Sequence, residues 1–164
     1  RPDVQLKDIR GNVPTRIGKL LAGEFDAILL AAAGLVRLEL DLSAIKVLRL
    51  NPKEFVPAPA QGVLAFQTCT DDKATRRLLQ KLHRPEVARC TNVERKVLQL
   101  AEGGCHMPLG VYCEQDPGGH YHLWAAKAQT WDAPLVNARL SSSTHHQLAE
   151  NMLEVLQQKT QALS

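Results

Sequence analysis

Pro108-Leu109-Gly110-Val111-Tyr112-Cys113-Glu114, Tyr121-His122-Leu123-Trp124-Ala125-Ala126-Lys127-Ala128-Gln129-Thr130 and Leu135-Val136-Asn137-Ala138-Arg139-Leu140-Ser141 read as three β-strands. Asp116-Pro117-Gly118-Gly119 joins the first two, and Asp132-Ala133-Pro134 joins the last two. Such short, turn-forming connections imply antiparallel neighbours.

Helical spacing flanks these strands. Upstream, Pro85 to Ala101 opens with a proline suited to a first turn, and Val87, Val93, Val97, Leu98 and Leu100 supply a side to bury. A shorter helix precedes it over Asp72 to Leu82. Downstream, Ser143 or Thr144 is the expected cap of a helix running to about Gln161, with Leu148, Met152, Val155 and Leu156 on one face. A three-stranded antiparallel sheet with helices on one face makes a small α+β domain.

The first third of the chain reads differently. Asp3 to Lys7 is a short extended piece, and Val13 to Leu21 is a helix with Asn12 as its cap and Gly23 just past its end. Phe25 to Ala33 is a continuous apolar run of the length expected for a strand buried on both faces of a parallel sheet, which points to a βαβ unit. Leu35, Leu38, Leu42 and Ile45 suggest a short amphipathic segment after it. Pro52, Pro57 and Pro59 then form a stiff connector ahead of a further strand, Val63 to Thr68. The boundaries expected are an α/β part over residues 1–58, a hinge and strand over 59–71, and the α+β domain over 72–164.

Composition narrows the function classes. The 164 residues carry a formal charge of +3, and residues 1–50 hold eight Lys/Arg against six Asp/Glu with no basic block, which argues against nucleic acid as a partner. No apolar run reaches the roughly 20 residues that cross a bilayer, so no membrane is expected. Cys69, Cys90, Cys105 and Cys113 are too sparse for a secreted disulfide framework, and a cytoplasmic setting with reduced thiols follows.

Two stretches carry candidate chemistry. Glu102-Gly103-Gly104-Cys105 puts a thiol after two residues without Cβ, so the backbone can bring Cys105 close to a bulky group and make it a tether. A glycine past a helix is also an ordinary terminator, and thiol reactivity depends on local environment. Arg10-Gly11-Asn12-Val13-Pro14-Thr15-Arg16 sets two guanidiniums around a helix start, where backbone N–H groups favour anions. Arg37 follows Gly34 beyond the apolar run, where ligands bind in open parallel sheets. His106, Cys113, His120 and His122 raise zinc as an alternative, but their spacing fits no familiar site and no metal is expected.

Four ordered motifs then carry a resemblance: Arg10-Gly11-Asn12-Val13-x-Thr15-Arg16; Phe25-Asp26-Ala27-Ile28-Leu29-Leu30-Ala31-x-Ala33-Gly34-Leu35-x-Arg37; Pro57-Ala58 with Gln61-Gly62; and Glu94-Arg95 through Glu102-Gly103-Gly104-Cys105 to Pro108-Leu109-Gly110. Together they closely resemble the porphobilinogen deaminase (hydroxymethylbilane synthase) family, over nearly the whole chain. The resemblance is weakest at residues 39–56 and 114–164.

The resemblance implies a remnant of a periplasmic-binding-protein-like α/β domain followed by the small α+β domain. It implies a transferase of tetrapyrrole and haem biosynthesis that polymerises four porphobilinogen molecules into hydroxymethylbilane, losing ammonia at each step. Cys105 would carry the dipyrromethane cofactor through a thioether, and Arg10, Arg16 and Arg37 would hold the acetate and propionate carboxylates of cofactor, porphobilinogen and growing oligopyrrole. Gly11, Asn12, Thr15, Gly103 and Gly104 would shape the supporting turns, and Gln61 and Gly62 the hinge. The parent would be monomeric.

Two departures from the family pattern matter. The chain begins inside the family's second domain, so the catalytic aspartate has no counterpart here; Asp26 and Asp41 do not belong to that motif, and no catalytic acid is assigned. The chain alone is therefore expected to be inactive without the N-terminal domain, in cis or in trans. Ala60-Gln61-Gly62-Val63 also stands where the family reads Gly-Gln-Gly-Ala, which stiffens the hinge. The alternative reading is a non-catalytic anion-binding or interaction module derived from the same fold.

Overall fold

The computed structural model describes residues 3–101 and 107–162. It divides into two compact units, Arg1–Arg49 and Leu50–Ser164.

In the second unit the expected sheet is present. Strands β1 (Leu109–Gln115), β2 (Tyr121–Lys127) and β3 (Val136–Ser142) pair antiparallel in the order β1-β2-β3. Val111 sits opposite Ala125, and Ala125 opposite Ala138, so small and branched residues share one face. Period-two alternation sends Leu109, Val111, Cys113, Tyr121, Leu123, Ala125, Val136 and Ala138 into the core.

Helices α4 (Pro85–Leu100) and α5 (Leu148–Gln161) cover that face, contributing Val93 and Val97, and Leu148, Ala149, Met152 and Leu156. A single closed core results, one layer of sheet against one of helices. Val87, expected in the buried side of α4, is exposed instead. Helix α5 also begins later than its sequence suggests. Ser142 and Thr144 use their hydroxyls to accept from the N–H groups of Thr144 and His146, both at 3.2 Å, so these residues make turns and Gln147 enters the helix at φ 55°.

The shorter helix α3 (Lys73–Gln80) is capped by Asp72, whose carboxylate accepts from Thr75 N at 2.9 Å and is held below its usual range by the Thr75 side chain first and by that backbone bond second. Residues 51–60 run beside the free edge of β1. Val111 N donates to Pro57 O at 2.8 Å, and a Cβ at Gly110 would collide with the carbonyl oxygen of Val56. Only glycine allows that approach.

The first unit holds two helices, α1 (Val13–Leu21) and α2 (Ala32–Leu38), and no strand among its described residues. The expected strand Phe25 to Ala33 has no regular secondary structure up to Ala31, with a bend at Asp26, and its last two residues begin α2. The expected strand Val63 to Thr68, in the second unit, likewise lacks a partner strand. A strand is completed by hydrogen bonds to a neighbour, and the described residues offer these runs none. The periplasmic-binding-protein-like sheet is thus not formed among the described residues. Leu29, at the centre of the apolar run, is 64% exposed.

Candidate functional site

The Arg10–Arg16 turn is built as its sequence requires. Asn12 Oδ1 accepts from Thr15 N at 2.9 Å and from Thr15 Oγ1 at 2.7 Å, satisfying an otherwise orphan donor at the start of α1. Gly11 takes φ 117°, and a Cβ there would lie 2.8 Å from Thr15 Cγ2, so glycine is needed on both counts. Arg16 Nε donates to Gly11 O at 2.8 Å, which folds the side chain back over the turn while using one of its five N–H donors.

Arg10 and Arg37 are exposed, and Arg16 is half-buried. Gly34 ties Arg37 to this region: a Cβ at Gly34 would stand 3.6 Å from Val13 Cγ2, so α2 meets the first turn of α1. Arg37 lies three residues further along α2. The turn and the helix carrying all three arginines therefore belong to one unit. Guanidiniums, permanently charged and able to pair with a carboxylate through two parallel bonds, are the donor chemistry that a ligand bearing acetate and propionate groups needs.

Cys105, Gly103 and Gly104 lie outside the described residues. On the two sides of that stretch, α4 and β1 are joined by a group that sequence reasoning left unassigned. Glu94, 7% exposed, accepts from Ala60 N at 2.7 Å with Oε2 and from Cys113 N at 2.8 Å with Oε1. Burial pushes its carboxyl above the usual range, opposed by those two backbone donors. A carboxylate between Val93 and Val97 on the buried side of a helix was the available signal.

Glu94 thereby fixes the residue before the expected hinge. Ala60 stands at φ 61°, a left-handed conformation that costs a side chain roughly 1 kcal/mol or more. Gln61 follows, exposed, and Gly62 takes φ 79°.

The face of the sheet away from the helices is also occupied. Trp124 is covered by Lys53 Nζ at 4.9 Å, Arg139 Cζ at 5.1 Å and the Tyr112 ring at 5.8 Å, while Lys53 pairs with Glu114 at 2.6 Å. Burial, then the nearby Glu114 charge, pushes the Tyr112 hydroxyl up to about 12. Trp131 lies beyond the end of β2 and is 75% exposed.

Of the histidines considered for zinc, His106 lies outside the described residues, and His120 and His122 have other partners. His122 Nε2 is 3.1 Å from Asp116 Oδ2 and His122 Nδ1 is 2.8 Å from Ser141 Oγ, while His120 Nδ1 lies 3.7 Å from Asp116 Oδ1. The His122 bond holds the Asp116 carboxyl below its usual range. A cavity of about 290 Å³ between the end of β2 and α5 is lined by Lys127, Gln129, Val136, Gln157 and Thr160, among others, and by none of the candidate residues.

The family profile described as "Porphobilinogen deaminase, dipyromethane cofactor binding domain" matches residues 1–77, a stretch that holds Arg10, Arg16 and Arg37 and ends before Cys105. Porphobilinogen deaminase of Xylella fastidiosa is 41% identical over 143 residues, covering 87% of this chain and 46% of the relative. The enzymes of Fusobacterium nucleatum and Syntrophobacter fumaroxidans are 43% identical over 115 residues and 41% over 123, covering 70% and 75% of the chain. This chain belongs to the porphobilinogen deaminase family. It spans about half the length of the Xylella enzyme and 38% and 37% of the other two. Among the described residues, no helix is long and apolar enough to cross a membrane.

Proposed function

We propose that this chain is the cofactor-carrying portion of a cytoplasmic porphobilinogen deaminase, the transferase that joins four porphobilinogen molecules into hydroxymethylbilane. The observation that carries this reading is the 41% identity held over 87% of the chain. It is supported by the first helix, whose capped start places Arg10 and Arg16 on either side of Asn12.

In this reading Cys105 would hold dipyrromethane by a thioether, and the group would supply the primer for chain growth. Arg10, Arg16 and Arg37 hold the acetates and propionates of that primer and of the growing oligopyrrole. Glu94 keeps the residue before Gln61 and Gly62 fixed, so that any motion is taken up at that glycine. The carboxylate acid that assists ammonia loss comes from the part of the relatives that these 164 residues do not match, supplied in cis or in trans, and the parent acts as a monomer.

The test is porphobilinogen consumption by the chain alone and with the complementary N-terminal half of a family member added. Turnover only in the mixture is expected. Turnover by the chain alone would overturn the assignment of the acid to the other half. Failure of the mixture, with oligopyrrole binding retained in Cys105→Ser, would favour the non-catalytic anion-binding module.

A further inference from the structure

The turn between β1 and β2, together with the neighbouring strand β3, brings a serine, a histidine and a carboxylate into one chain of hydrogen bonds. His122 of β2 stands directly opposite Ser141 of β3 in the ladder, and its Nδ1 lies 2.8 Å from Ser141 Oγ. On the other side of the ring, Nε2 lies 3.1 Å from Asp116 Oδ2. The turn holds Asp116 in its place. Its Oδ1 accepts from His120 N at 2.8 Å, its own N–H donates to His120 O at 2.9 Å, and its carbonyl accepts from Gly119 N at 3.0 Å.

These contacts fix where the protons sit. The bond to His122 first, and the His120 N–H second, hold the Asp116 carboxyl below its usual range, so it is ionised at neutral pH. An ionised carboxylate only accepts. The neutral imidazole therefore carries its proton on Nε2, which leaves Nδ1 as an acceptor and makes Ser141 the donor to it. The His122 side chain is only 20% exposed, whereas Ser141 lies open on the outer face of the sheet. The base is shielded and oriented, and the hydroxyl can be reached.

We propose that Ser141 is a nucleophile that takes acyl groups from small activated esters, with His122 as its base and Asp116 as a positioning residue. Nucleophile, base and orienting carboxylate stand in the sequence of contacts that serine acylation needs, a constellation defined by roles and geometry rather than by order in the chain. Either ring nitrogen can act as the base, because the bond made by the other sets the tautomer. Ser141 Oγ attacks the ester carbonyl carbon and its proton passes to His122 Nδ1. The ester C–O bond then breaks, His122 gives the proton to the departing oxygen, and an acyl-serine and an alcohol result. Arg139, two residues before Ser141 on the same strand and face, with its guanidinium over Trp124 at 5.1 Å, supplies positive charge on that face for the developing oxyanion. None of these residues enters the proposed pyrrole chemistry.

The full chain incubated with p-nitrophenyl acetate at neutral pH, quenched in acid at intervals and mapped by peptide mass, tests this. An acetyl group is expected on Ser141, with Ser143, exposed two residues further on, as the internal reference. In His122→Gln the rate at Ser141 should fall about a hundredfold. Asp116→Asn should slow it at least about tenfold and replace the single Nε2–H tautomer of His122 by a mixture in 15N spectra of the ring, a signature that a purely structural role for Asp116 would leave unchanged. The proposal is overturned if Ser141 is acetylated no faster than Ser143, if the label goes only to lysines and cysteines, or if His122→Gln leaves the Ser141 rate as it was. Circular dichroism of each variant separates loss of rate from loss of fold, and the wild-type comparison of Ser141 with Ser143 decides alone should a variant fail to fold.

Discussion

The two units of this chain have similar raw material and opposite outcomes. The stretch Phe25–Ala33 is at least as apolar as β2, yet Leu123 in β2 is fully buried and Leu29 is 64% exposed. Local composition does not separate them; neighbours do. The α+β unit finds its partners within 35 residues on either side, through tight turns and two flanking helices. The first unit has two short helices and no buried residue among those described. A buried-on-both-faces strand is a statement about what lies beside it, and no partner strand is present among the described residues.

Core truncation should expose this contrast most sharply. Leu123→Ala or Met152→Ala, each at a fully buried site, is expected to cost about 2–5 kcal/mol in denaturant unfolding followed by circular dichroism. Leu29→Ala should stay within about 0.5 kcal/mol. Equal losses at Leu29 and Leu123 would mean that the first unit holds a core of its own.

Glu94→Gln comes next in size. An amide offers one oxygen where two backbone donors converge, so one N–H is left unpaired at a cost of about 1–3 kcal/mol. Because native Glu94 keeps its proton to higher pH than the unfolded chain does, its protonated form adds stability that is complete below the ordinary carboxylate value and is lost as pH rises through the raised native value. Urea midpoints taken across that window should therefore fall with pH in the wild type and flatten in Glu94→Gln. An unchanged slope would show that Glu94 is not the group responsible.

Smaller effects refine the picture at the two candidate turns. Asn12→Ala removes the cap of α1 and should cost that helix about 1 kcal/mol, read as faster amide exchange over Val13–Leu21 with β1–β3 unaffected. Ala60→Gly relieves a left-handed side chain but frees the unfolded backbone, leaving a net gain of roughly 0.5 kcal/mol. A loss there would mean that the Ala60 methyl contributes packing that outweighs the strain.

The α+β half was legible because its signals are local. Alternation placed Val111, Leu123 and Ala138 on one face, and helical spacing placed Val97, Met152 and Leu156 opposite them. The start of α5 was not legible, because Thr144, one of the two expected caps, spends its hydroxyl on a turn and the helix is entered three residues later, at Gln147. At the site, Asn12, Thr15 and Gly11 were readable from turn chemistry. The joining of Glu94 to Ala60 and Cys113 and the cover over Trp124 were not, since each joins residues distant in sequence whose types alone do not name their partners.

The central functional claim concerns Cys105, and one mass reaches it directly. The chain purified from cells that make its complementary half should carry, on the peptide spanning Glu94 to Val111, an added mass of about two pyrrole units that is absent from Cys105→Ser. An unmodified Cys105 under those conditions would contradict the account, leaving arginines suited to an anion with no tethered primer for them to hold.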